Sequence, residues 1–110
     1  MNTPVSFELA KLLKEKGFPL KNTGYAYNKN GELVDPCFSI WECEAPTIAE
    51  VVMWIYEKHG IWVSVNYGKG SQTWGYIICE NENKENRHFG FDKLNQAYEA
   101  AIEYCLNKLI

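Results

Sequence analysis

Apolar residues recur with a helical period in three stretches of the chain and with a period of two in a fourth. Val5, Leu9, Leu12 and Leu13 fall at i, i+4, i+7 and i+8 and form one stripe. This predicts a helix over residues 3–16, capped by Thr3, with Pro4 in the first helical position and Gly17 as its stop. Phe7 lies off the stripe beside Lys11 and Lys14, as a surface aromatic or a contact to another element. A second helix opens at Thr47-Ile48-Ala49-Glu50, a capping box preceded by Pro46. Its inner face is Ile48, Val51, Val52, Ile55 and Tyr56; His59 lies in its last turn and Gly60 ends it. A third helix is expected over residues 92–110, with Asp92 as cap. Its inner stripe is Leu94, Ala97, Tyr98, Ala101, Ile102, Cys105 and Leu109, with Glu99 and Glu103 in water.

Strict alternation follows the second helix. Ile61, Val63 and Val65 interleave with Trp62, Ser64 and Asn66, and Gly68-Lys69-Gly70-Ser71 provides a turn. The return strand covers residues 72–79, with Trp74, Tyr76 and Ile78 on one face. Thr73, Gly75, Ile77 and Cys79 share the other face; bulk on both faces points to a strand that is central or covered on both sides. Residues 80–90 are so polar that they read as a solvated loop, its Arg87 and His88 a candidate anion contact. Residues 25–27 read as a short strand, Asn28-Lys29-Asn30-Gly31 as a turn, and a return begins near Glu32. Asp35-Pro36 interrupts it. Residues 37–43 continue as a strand, with Phe38 and Ile40 on one side and Ser39 and Trp41 on the other.

The order is helix, hairpin, helix, hairpin, helix, which gives an α+β, two-layer fold with helices packed on an antiparallel sheet. The helix-to-strand joints Lys16-Gly17-Phe18 and His59-Gly60-Ile61 look alike. A duplicated helix–hairpin unit accounts for this. So does the habit of helices to close on a basic residue and glycine, which is the reading adopted.

At 110 residues the chain is expected to form a single domain. No apolar run approaches the roughly 20 residues of a membrane span. The opening 13 residues lack the basic start and apolar block of a signal peptide, so a cytoplasmic location is expected. With 14 acids against 11 bases, one of them arginine, the net charge of −3 disfavours nucleic acid. The four cysteines, Cys37, Cys43, Cys79 and Cys105, form no zinc knuckle and read as reduced thiols, so no metal or cofactor is expected.

No phosphate loop, nucleophile elbow or zinc-protease helix occurs in the sequence. Glu42 and Glu44 flank Cys43 as a conceivable acid–base pair, and Cys43–His59 or Cys79–His88 as nucleophile pairs, without local signatures. The expectation is therefore a non-enzymatic protein that binds a macromolecule, an unknown protein or a second copy of itself. The alternative is a small-molecule or nucleotide-binding domain that stacks a planar ligand on Trp41, Trp62 and Trp74.

Trp54 sharpens the first reading. It lies about 100° or more from the centre of the second helix's core face. Either residues 36–44 fold over it, with Trp41 or Phe38 as cover, or Trp54 and Met53 form an exposed patch. Met53, Trp54 and Phe7 are the candidate interface residues.

Residues 45–65 (APTIAEVVMWIYEKHGIWVSV) and 97–110 (AYEAAIEYCLNKLI), with the opening TPVSFELAKLLKEKGF, cover about half of the chain. Together they resemble a family of small proteins of gut Bacteroidetes genomes and their phages. The resemblance implies an α+β fold and a phage or mobile-element setting. No activity is established for that family, so it implies no functional residue.

Overall fold

The computed structural model describes residues 3–19, 24–81 and 83–110. Helix α1 spans Phe7–Glu15 and is capped by Ser6, whose hydroxyl accepts the Leu9 N–H at 3.3 Å. The cap is thus Ser6 and not Thr3. Thr3 and Pro4 lie in extended chain: Pro4 bridges Thr47, and the Thr3 carbonyl accepts the Ile48 N–H at 3.0 Å. The early chain is recruited to the start of the second helix, which overrides its own helical signal.

Gly17, at φ +88°, closes α1. Its N–H donates to the Lys14 carbonyl and the Phe18 N–H to the Leu13 carbonyl, a Schellman motif. Helix α2 spans Ile48–His59, and its capping box is formed: Thr47 Oγ1 accepts the Glu50 N–H, and Glu50 Oε1 accepts the Thr47 N–H. Gly60, at φ +69°, ends α2 differently, with one bond from its N–H to the Tyr56 carbonyl. The two similar joints therefore fold into two different caps.

Between the helices lie three strands of two residues each: β1 (Ala26–Tyr27), β2 (Leu33–Val34) and β3 (Cys43–Glu44). They form an antiparallel sheet in the order β2-β1-β3. After α2 come β4 (Trp62–Gly68), β5 (Thr73–Asn81) and β6 (Lys84–Phe91), an antiparallel meander in chain order. β5 is central, as the bulk on both its faces implies. β6 corrects the expected loop over residues 80–90. Its polar side chains are mostly exposed, but its backbone pairs along β5 from Asn81↔Lys84 to Trp74↔Phe91.

Helix α3 spans Leu94–Tyr104 and begins at Lys93, not Asp92; the Lys93 N–H donates to Gln96 Oε1 at 3.2 Å. Residues Cys105–Leu109 continue as a π-helical turn, closed by the Ile110 N–H on the Cys105 carbonyl. The wider turn places Leu106, absent from the expected stripe, fully inside with Cys105, while Leu109 is only half-buried.

The architecture is α+β. Among the described residues it has three α-helices and two three-stranded antiparallel sheets, so each expected hairpin is extended by a third strand. One core joins Val5, Leu9 and Leu13 of the first segment, Ile48, Val51, Val52 and Ile55 of α2, Val63, Tyr76 and Ile78 of the second sheet, and Ala101, Ile102, Cys105 and Leu106. Tyr56, expected inside, is 49% exposed and packs edge-on against Trp62. Glu99, expected in water, is half-buried: its Oε2 accepts the Ser6 N–H at 2.8 Å. This carboxylate satisfies a free donor at the positive end of α1.

Candidate functional site

Among the described residues, the most exposed large apolar side chains are carried by the segment between β2 and β3. Asp35-Pro36-Cys37-Phe38 is a β-turn with aspartate first and proline second. The Phe38 N–H donates to the Asp35 carbonyl at 3.1 Å, and the Cys37 N–H to Asp35 Oδ1 at 2.9 Å. Of the expected strand over residues 37–43, only Cys43 pairs, in β3. Pairing resumes only where the Glu42 N–H reaches the Tyr27 carbonyl, at 2.8 Å, and β3 follows. The turn projects the chain outward. Phe38 is 87% exposed and Ile40 94% exposed, so Phe38 does not cover Trp54.

Lys14 fixes one end of this loop, its Nζ donating to the Glu42 carbonyl at 2.7 Å. The other end leaves β2, whose Val34 pairs with Ala26, beyond the Asn28 turn that joins β1 to β2. Asn28 Oδ1 accepts the N–H groups of Asn30 and Glu32, and the Gly31 N–H donates to the Asn28 carbonyl. The loop thus stands on two tethered ends.

Of the three candidate interface residues, Met53 and Trp54 are neighbours on α2 and Phe7 lies on α1. Phe7 packs on the Tyr27 ring at 5.4 Å, with Lys11 Nζ over its own ring at 4.3 Å. Trp54 is half-buried, with Phe18 edge-on at 5.2 Å and His59 edge-on at 5.1 Å. The cover of Trp54 includes Phe18, which the Schellman cap of α1 delivers. Of the three, Met53 is the most exposed, at 44%.

The register of the second sheet separates other residues that the sequence left open. Trp62 pairs with Cys79, and Trp74 with Tyr67 five positions further along β4, so the two tryptophans occupy opposite faces. Trp41 lies outside the strands. The three do not form one stacking surface. Cys79 pairs with Glu85, and His88 with Tyr76, so Cys79 and His88 also lie on opposite faces. Arg87 and His88 diverge in the same way: Arg87 donates to Glu85 Oε1 at 3.0 Å, while His88 stacks with Tyr76 at 5.8 Å.

The thiols divide by burial. Cys43 and Cys105 are buried, Cys79 is intermediate and Cys37 is exposed. Burial pushes the Cys43 thiol up, against the opposing pull of Lys14. Burial also pushes Cys105 up to about 12, with the Glu80 charge adding to it. Both are held protonated, the reverse of an activated nucleophile. Among the described residues no group of three His, Cys, Asp or Glu side chains is placed to hold a metal ion. A groove of about 430 Å³ between α1 and α3 is lined by Glu8, Glu15, Glu99 and Glu103 with Lys11, and its chemistry is acidic. No described helix is long and apolar enough to cross a membrane. Comparison with family models, curated proteins and solved structures finds no match to this chain.

Proposed function

We propose that this protein is a non-enzymatic binding protein that acts by contact with another protein, and that the loop over residues 35–42 makes the contact. One observation carries the reading. Two large apolar side chains, Phe38 and Ile40, are almost wholly in water on a loop that leaves the paired Val34 at one end and is held at Glu42 by Lys14 at the other. Exposed apolar groups on a fixed support bind with little loss of conformational entropy, and aromatic anchors dominate such interfaces. The placement of Cys79 and His88 on opposite faces and the upward-shifted pKa of the buried thiols support the non-enzymatic part. A phage or mobile-element setting rests on the sequence resemblance.

The test is a photo-reactive phenylalanine analogue at position 38 in the native host lysate, with the same analogue at Lys69 in the polar turn as control. A discrete protein adduct specific to position 38 is expected, lost when Ile40→Ser is added, with the melting temperature unchanged. Adducts identical at both positions, or insensitive to Ile40→Ser, would sink the proposal.

A further inference from the structure

We propose that β6 is the contact edge of a homodimer, pairing antiparallel with a second copy of itself about Asn86, so that each Glu85 faces the partner's Arg87. Strand order leaves β6 at the rim of the second sheet, and no strand pairs with its other edge among the described residues. An eight-residue strand at a rim presents a row of backbone donors and acceptors, which a second strand satisfies by continuing the sheet.

The side chains select which strand. In an antiparallel pair, directly opposed residues share a face, so a two-fold axis through the strand passes a residue and pairs positions of equal parity. An axis at Arg87 sets arginine against arginine. An axis at His88 pairs Arg87 with the partner's Phe89 and leaves Glu85 without its counter-charge. An axis at Asn86 pairs Glu85 with the partner's Arg87 twice and Lys84 with the partner's His88 twice. Glu85 and Arg87 already lie on one face, 3.0 Å apart, with side chains 42% and 61% exposed. Self-pairing turns this single ion pair into a square of alternating charge. Exposed ion pairs add little affinity. Their part here is to fix the register and reject other strands, while backbone hydrogen bonds hold the edges together.

Sedimentation velocity over a concentration series tests this. The natural chain is expected to show a monomer–dimer equilibrium. E85R alone and R87E alone oppose like charges at both contacts, and each is expected to shift the dimer constant toward monomer at least tenfold. The double variant E85R/R87E restores opposite charges and is expected to dimerise again. An equimolar mixture of the two single variants is expected to form a heterodimer. Circular dichroism confirms that each variant is folded; these side chains are exposed, and recovery in the mixture excludes loss of fold as the cause. A natural chain that stays monomeric throughout the series overturns the proposal. So do single reversals that dimerise as the natural chain does, or a mixture that stays monomeric.

Discussion

The strands of the first sheet are two residues long, and those of the second are seven, nine and eight. The first returns across its own centre, β1 lying between β2 and β3, while the second runs as a plain meander. Two-residue strands offer few ladder bonds, so the first sheet depends on single ties from outside it. The Tyr27 hydroxyl donates to the Val5 carbonyl at 2.6 Å inside the core, and Lys14 holds the Glu42 carbonyl. The second sheet holds itself by its ladder and by α3, which packs on β4 and β5. A chain can thus follow one plan twice, helix then three strands, and hold each copy by different physics.

The largest expected effect comes from removing the support of the second sheet. Deleting residues 105–110 removes Cys105 and Leu106, both without exposed surface, and uncovers their contacts. Burial losses on this scale cost about 4 kcal/mol or more, comparable to the whole stability of a small domain. Cooperative melting followed by circular dichroism is expected to disappear; an unchanged melting curve refutes the role given to the π-helical turn.

A smaller change separates the two sheets. Tyr27→Phe keeps the ring against Phe7 and leaves the buried Val5 carbonyl without its donor. The expected loss is about 1–3 kcal/mol. Hydrogen exchange is expected to quicken at residues 26–27, 33–34 and 43–44 while β4 and β5 stay protected. Equal acceleration in both sheets would show that the ladder, not the hydroxyl, holds the first.

A third effect is silent at neutral pH and appears only in alkali. The Cys105 thiol ionises at its ordinary value of 9.0 when unfolded and is pushed up to about 12 when folded. Above pH 9 the unfolded chain sheds a proton that the folded chain keeps. The contribution is therefore complete below pH 9 and is lost as the pH rises toward about 12. Denaturant midpoints measured across that window are expected to fall less steeply in Cys105→Ala than in the natural chain. Equal slopes would place the thiol in a wetter setting.

Local rules read the second half of the chain better than the first. The Thr47–Glu50 box, the glycine at 60 and the β4–β5 alternation each depend on neighbours in sequence, and each formed as expected. β6 was hidden because its partner is β5 and not its own pattern. Lys84, Glu85, Arg87 and His88 put charged or polar groups on both faces, which carries no period, yet the free backbone edge of β5 recruits the segment. Thr3 and Pro4 offered a cap and were drawn instead to Thr47. The cover of Trp54 depended on a Schellman cap thirty-odd residues upstream, legible as Gly17-Phe18 but silent about where Phe18 would point. The apolar residues of the candidate contact loop were visible as letters. Their exposure was not, because Asp35-Pro36 looks locally like a brief interruption but redirects the chain over residues 35–42.

Ser6 and Glu99 stand 93 positions apart, and their hydrogen bond has a consequence for the order in which the protein is made. On a ribosome adding about 5–20 residues per second, α1 emerges roughly five to twenty seconds before the carboxylate that completes its amino end exists. A nine-residue helix is too short to persist alone in water. Through that interval Leu9 and Leu13 have no finished core to enter, and the nascent chain presents them to whatever waits at the exit tunnel.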